Sequence, residues 1–337
     1  MTTAKNSDEL LLCEIKKSNI EASLKTIRSK NRLVIINTYQ YDGDGKLFFA
    51  TLSKVEKSKI VEINMFLPEY TLEESDIQWL LSLPNLQKFV FNVKKFPVSF
   101  IKGLKNLKKL RELACILDNT EKSSQLLLEN IVDLSSLERL DMSNMQFSDT
   151  YNWRLPPKAS IVQINFSSLT TNTIKILGQS AQVRHLAIFN SKFPPCTEIA
   201  SKYFHSKLRC LAIYDKEFTK CILDSLEYFD ELKMLFVRFT DNSYWQLIEN
   251  KISNTKNVLR VFVVDNEIKN VLSDQMLKKL RSKYAIYADY GGNWLQYVLD
   301  YADSCYEKSS IVDKSKHSFI DGLYEINIRK KLNTKIQ

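Results

Sequence analysis

Glycine and proline are scarce, with seven of each in 337 residues. Neither clusters, so the sequence offers no flexible linker and no low-complexity segment. Histidine is scarcer still: only His185, His205 and His317 occur, which leaves few ligands for a metal centre and few general bases. The six cysteines (Cys13, Cys115, Cys196, Cys210, Cys221 and Cys305) show no CxxC spacing. Free thiols in a reducing compartment are the simplest account, so a cytoplasmic or nuclear location is expected. No run of 18 apolar residues occurs, and residues 1–9 are polar, so neither a transmembrane segment nor a secretory signal is expected. P-loop, dinucleotide-fingerprint, HExxH and GxSxG motifs are all missing.

What is present is enough apolar surface for a sizeable core, 44% hydrophobic against 26% charged residues. Length alone suggests about two domains, but a repeat array grows without splitting. Net charge is +9, and one stretch concentrates it: Lys94, Lys95, Lys102, Lys105, Lys108, Lys109 and Arg111 follow one another with no acid between them. Such a stretch can meet phosphates or an acidic partner. It can also be no more than the lysine-coated, solvated face of a helix.

Alignment of the chain on itself reveals a period. Leu137-x-x-Leu140-x-Met142, Val183-x-x-Leu186-x-Ile188, Leu208-x-x-Leu211-x-Ile213 and Leu232-x-x-Leu235-x-Val237 are each apolar at positions 1, 4 and 6. The same template fits copies starting at 33, 60, 86, 110, 161, 259 and 284, with gaps of 22 to 27 residues between successive starts. A second apolar residue follows ten positions after the start in Phe96, Phe147, Phe193 and Phe218. Helical returns follow at Cys221-Ile-Leu-Asp-Ser-Leu-Glu-Tyr-Phe and Trp245-Gln-Leu-Ile-Glu-Asn-Lys-Ile.

These copies resemble the leucine-rich-repeat family, whose units of 20–29 residues pair an LxxLxL strand with a helical return. The Asn or Cys usual at position 9 is missing from almost every copy, which places the resemblance with the irregular ribonuclease-inhibitor-like and F-box-associated varieties. The resemblance implies an α/β solenoid, a horseshoe with a parallel concave sheet and helical returns on the convex side. Residues 1–32 read as an N-terminal helical cap, 33–290 as about eleven irregular repeats, and 291–337 as a C-terminal helix (about 293–307) with a basic tail.

In a parallel ladder equivalent positions lie side by side, and positions 3, 5 and 7 share the concave face. Position 3 then reads Glu62, Lys88, Glu112, Arg139, an alternation of sign that lateral neighbours favour. Later copies present Ala187, Phe189, Ala212, Tyr214, Met234, Phe236, Val261 and Val263 there, with Arg238 beside Asp265. An apolar patch of this kind marks a partner-binding face, or one covered by the protein's own C-terminal segment; both readings stay open.

Chemistry has few candidates. His185 and Cys210 hold position 3 of adjacent copies, a dyad without an oxyanion hole. Cys196 and Cys221 both lie 13 residues after their starts, and packing accounts for them better than zinc. Tyr41-Asp-Gly-Asp-Gly-Lys46 matches the start of a calcium loop, but position 12 is Ser53 where a bidentate Glu is needed. No catalytic residue, metal or cofactor is assigned. The leading expectation is a non-enzymatic scaffold that binds another protein on its concave face, mainly through the later repeats. Other readings are the substrate receptor of a cullin-type ubiquitin ligase, nucleic-acid or ribonucleoprotein binding through 94–111, and a pathogen effector that binds a host protein. For the receptor, the Leu12-Cys13 pair is faintly like an adaptor-binding box, but Glu9 stands where that box needs Leu.

Overall fold

The computed structural model describes residues 11–14, 33–36, 45–95, 97–118, 120–189, 191–195, 207–213, 215–224, 229, 231–232, 234–237, 260–263 and 287–288. The chain divides into two compact units, Met1–Arg209 with Glu227–Glu231, and Cys210–Leu226 with Leu232–Gln337.

The first unit is α/β, with eight parallel strands in chain order forming an open sheet. They are β1 (Leu11–Glu14), β2 (Leu33–Ile36), β3 (Ile60–Thr71), β4 (Lys88–Lys95), β5 (Glu112–Ile116), β6 (Arg139–Ser143), β7 (Ile161–Asn165) and β8 (His185–Phe189). Parallel neighbours need a crossover between them. It is supplied by α1 (Gly45–Leu52), α2 (Glu74–Leu81), α3 (Val98–Gly103), α4 (Glu121–Ile131) and α5 (Thr171–Gln179).

Three of these returns, α2, α4 and α5, begin where the sequence supplies a side-chain cap. Glu73 and Asp76 form a capping box ahead of α2. The Thr120 hydroxyl accepts from Ser123 N at 3.3 Å ahead of α4, and Thr170 accepts from Thr173 N at 3.2 Å ahead of α5. The inward sides of the helices carry Leu127, Leu128, Ile131, Ile174 and Leu177. These meet the strand positions 1, 4 and 6, such as Leu86, Phe89 and Phe91, Leu110, Leu113 and Cys115, and Leu137, Leu140 and Met142, all buried. Each such side chain contributes about 1.5–3 kcal/mol on leaving water, and none of these units has a core without its neighbours.

Between β6 and β7 no helix forms. Pro156 and Pro157 follow too closely for a helical return, and the chain instead buries Tyr151, Trp153 and Leu155 along an irregular path. The Trp153 ring packs on Phe147 at 5.7 Å, and Tyr151 Oη donates to Glu121 O at 3.1 Å.

After each central strand the chain turns through a left-handed residue, Asn144 (φ 58°) and Phe166 (φ 48°). The next residues carry a second ladder, with parallel bridges from Gln146 to Ser168 to Lys192. Two serines, Ser167 and Ser191, support this second ladder. Ser167 Oγ accepts from Met145 N at 3.0 Å and Ser191 Oγ accepts from Ser167 N at 3.2 Å. Each hydroxyl then donates back to the strand, to Asn165 O and Phe189 O.

In the first unit the structure corrects one element and two readings of register. Leu11–Glu14 is a strand paired with β2, not part of a helical cap; Leu10-x-x-Cys13-x-Ile15 is itself a copy of the repeat template. On β2, Ile35 pairs with Ile63 after a bulge, so it belongs with position 4 rather than position 3. On β7, Arg139 and His185 both pair with Ile161. The copy therefore starts at Ala159, and Ala159, Val162 and Ile164 are its inward residues, each fully buried.

The second unit contains four parallel strands in chain order, β9 (Cys210–Ile213), β10 (Met234–Val237), β11 (Arg260–Val263) and β12 (Tyr287–Ala288). Helix α6 (Lys216–Asp224) follows β9 and is capped by Asp215 Oδ1, which accepts from Phe218 N at 2.8 Å. It starts five residues before the expected return at Cys221, because the Asp cap decides the helix start. The expected helices at 245–252 and 293–307, and the residues 291–337 as a whole, lie outside the described residues.

Candidate functional site

Position 3 of the first unit forms one lateral row, Glu62, Lys88, Glu112, Arg139, Ile161 and His185. Position 5 forms another, Asn64, Val90, Ala114, Asp141, Gln163 and Ala187. Lys88 Nζ lies 3.1 Å from Glu62 Oε1, and Arg139 Nη2 lies 3.2 Å from Asp141 Oδ2. Asn64 Nδ2 donates to the same Glu62 oxygen at 3.0 Å.

This face is polar and yet buried. Glu62, Asn64, Arg139, Asp141, Gln163, Asn165 and His185 are all shielded from water. Two polar atoms on it, Asn64 Oδ1 and Gln163 Nε2, have no hydrogen-bond partner among the described residues. Burial would depress the Lys88 pKa, but Glu62 and then Glu112 more than offset this and hold it above its ordinary value. His185 is pushed down to about 4, first by burial and then by the positive charge of Arg209, Arg184 and Arg139. It is therefore a neutral imidazole at physiological pH.

Of the expected partner-binding residues, Phe189 closes the end of β8 at 1% exposure. Met234 and Phe236 lie in β10, while Tyr214, Arg238 and Asp265 fall outside the described residues. Val261 and Val263 are reassigned. Met234 pairs with Arg260 and Phe236 with Phe262, so Val261 and Val263 register with Leu235 and Val237 instead. A shift of one residue moves a strand's whole pattern to the other face. The rows of the second unit are therefore Cys210–Met234–Arg260 and Ala212–Phe236–Phe262. Cys210 and Ala212 are buried.

The seven basic residues at 94–111 do not form one surface. Lys94 and Lys95 end β4, Lys102 is on α3, Lys105 lies in a 3-10 turn, and Lys108, Lys109 and Arg111 lead into β5. All six lysines are exposed. Arg111 is tied to Glu138, Nη2 to Oε1 at 2.7 Å, and Lys109 Nζ donates to Asn85 Oδ1 at 2.7 Å.

His185 belongs to the first unit and Cys210 to the second. Cys115 and Cys210 carry free, buried thiols. Cys221 is disulfide-bonded, against the expectation of free thiols throughout; a pairing made by the fold leaves no mark in linear spacing. Cys196, Cys13 and Cys305 are not among the residues with described side chains. Among the described residues no group of three or more metal-ligating side chains occurs, and no helix is long and apolar enough to cross a membrane. No family model matches the chain, and no curated protein matches it in sequence.

Proposed function

We propose that the chain is a non-enzymatic scaffold of the leucine-rich-repeat type that holds another protein on the strand face of its second unit. The observation that supports this is the pair of lateral rows Cys210–Met234–Arg260 and Ala212–Phe236–Phe262. Met, Phe and Arg are residue types that interface cores favour, and the register sets their positions side by side on neighbouring strands, about 4.8 Å apart. The corrected register strengthens the reading, since it exchanges two valines for Arg260 and Phe262.

The experiment compares partners captured from lysate by the wild type and by a Phe236→Asp, Phe262→Asp variant, with circular dichroism to check folding. A partner retained by the wild type, lost from the variant and then bound directly as purified protein supports the reading. The same partners on both forms overturn it. The identity of that partner separates a ubiquitin-ligase substrate receptor from an effector that engages a host protein.

A further inference from the structure

Because the strands are parallel, every segment that leads into a strand lies along one edge of the first unit. A backbone chain of hydrogen bonds ties these segments together. Gln87 N donates to Val61 O, Arg111 N to Gln87 O, Glu138 N to Arg111 O, Ser160 N to Glu138 O, Arg184 N to Ser160 O and Arg209 N to Arg184 O, all at 2.8–2.9 Å. Six lateral steps of about 4.8 Å make an edge about 29 Å long.

Eleven described cationic side chains stand on it: Lys54, Lys57, Lys59, then Lys105, Lys108, Lys109, Arg111, and further along Lys158, Arg184, Lys207 and Arg209. The described carboxylates there are four, Glu56, Asp133, Glu138 and Glu231. Helix C-termini also point to this edge, and cations complement them; Arg184 Nη1, for instance, donates to Ala181 O at 2.8 Å. Each helix end counts for only about half a negative charge. The ends of α1, α2, α4 and α5 thus account for about two of the seven excess charges. The surplus is felt nearby: Arg209, then Arg184 and Lys207, hold the Glu231 carboxyl below its ordinary value.

We propose that this edge is a rail for the phosphate backbone of a nucleic-acid duplex, bound without regard to sequence. Asn85 Nδ2 donates to Ser58 O and Gln182 Nε2 to Pro156 O, and each amide keeps a second hydrogen beside the cations, the mixture that phosphate contacts use. No exposed aromatic stands on the edge among the described residues, so bases of a single strand have nothing to stack on. Val132 is the one large apolar side chain exposed there among the described residues, too little for a membrane-inserting surface. About 29 Å of duplex axis carries roughly eight phosphates of one strand, and those on the turned-in side of the helix face the edge.

The test measures fluorescence anisotropy of a labelled DNA duplex of about 20 base pairs against the full chain over a salt series. The rail variant is Lys108→Gln, Lys109→Gln, Lys158→Gln, Lys207→Gln. The control variant removes the same charge from the opposite edge, Lys94→Gln, Lys95→Gln, Lys122→Gln, Lys192→Gln. The rail variant is expected to lose roughly three to four units of log–log salt slope, about 0.9 for each phosphate contact, while the control keeps the wild-type slope. Equal losses in the two variants, or no duplex binding by the wild type, overturns the proposal. So does binding to phosphatidylserine vesicles that the duplex does not displace.

Discussion

Lys88 and Glu62 face one another across adjacent parallel strands, Nζ to Oε1 at 3.1 Å, in a row where a polar side chain has little access to water. They begin the alternation Glu62, Lys88, Glu112, Arg139, which the strand pairing reproduces in full. A charge in such a place is retained only with its counter-charge.

Removing one partner should therefore cost more than removing both. Glu62→Gln leaves the Lys88 ammonium without its nearest carboxylate and is expected to cost about 3 kcal/mol in urea unfolding. Glu62→Leu with Lys88→Met should cost less than that single change. The pH dependence has a definite sign. Lys88 titrates higher in the folded chain than in the unfolded one, where its value is 10.5. Its stabilisation is thus present below that pH and is lost as pH rises through the folded value. Lys88→Met should abolish this alkaline loss; an unchanged alkaline limb would show the pair to be inert.

That charge row was legible because these copies carry large apolar residues at positions 1 and 4 and an apolar one at 6, and the alternation of sign at position 3 agreed with that register. Other strands fit two registers. Ala159/Val162/Ile164 and Ile161/Ile164/Phe166 both fit the apolar template, and the small Ala159 hid the correct one. Leu169, ten residues after Ala159, was the signal that would have decided it. Strand β11 lies in Val258-Leu-Arg-Val-Phe-Val-Val264, where both Val258/Val261/Val263 and Leu259/Phe262/Val264 fit the apolar template, so a slip of one residue cannot be read from that template. The basic edge was invisible for another reason. Lys158, Arg184 and the pair Lys207 and Arg209 are far apart in sequence, and only equivalent placement before successive strands brings them together. The bonds of Ser167 and Ser191 to the neighbouring turns were not legible either, since their role follows from backbone geometry rather than from residue type.

Gly45 opens α1 directly against the Tyr70 ring, so an added Cβ would overlap the ring carbons. The ring cannot yield freely, since it stacks on Phe49 at 5.9 Å and Tyr70 Oη donates to Asp76 Oδ2 at 2.7 Å. Helix propensity alone favours Gly45→Ala by up to about 1 kcal/mol. Overpacking should win, for a net loss of about 1–2 kcal/mol. A shift in the fluorescence of Trp79, whose ring lies 6.4 Å from that of Phe49, would report the displaced ring. A stabilised variant with unchanged emission would mean that the ring moves aside at no cost.

Trp153 substitutes for a missing helix. Its side chain is 3% exposed and packs on Phe147, so the return between β6 and β7 is held by one large ring instead of a helical face. Trp153→Ala should cost about 3–5 kcal/mol. In a stack of units the damage should centre on neighbours, with hydrogen exchange rising first in β6 and β7. Uniform protection losses from β3 to β8 would refute that local picture.

The Cys115 thiol is buried, donates to Asp141 O at 3.6 Å, and is raised well above its ordinary pKa by burial and then by the Asp141 charge. Thiolate is the reactive form. Alkylation at Cys115 should therefore wait for opening of the sheet and accelerate with urea in step with unfolding. Reaction in native buffer at the rate of an exposed thiol would show that β5 is not sealed.

His185 gives the acid limb of stability. Its folded value of about 4 lies below the ordinary 6.5 of an unfolded chain, first because burial disfavours the imidazolium and then because Arg209, Arg184 and Arg139 repel it. The unfolded chain thus takes up a proton that the folded chain refuses. Stability is complete above about pH 6.5, falls as pH drops below it, and stops falling near the folded value. Such a displacement corresponds to roughly 3 kcal/mol at the acid end. His185→Gln removes the proton without emptying the site. The difference in urea midpoint between wild type and variant should stay constant from pH 8 to 6.5 and then shift in the variant's favour toward pH 5. Parallel curves across that range would mean that His185 takes its proton in the folded chain as readily as in water, and that the positive potential of the arginines does not reach it.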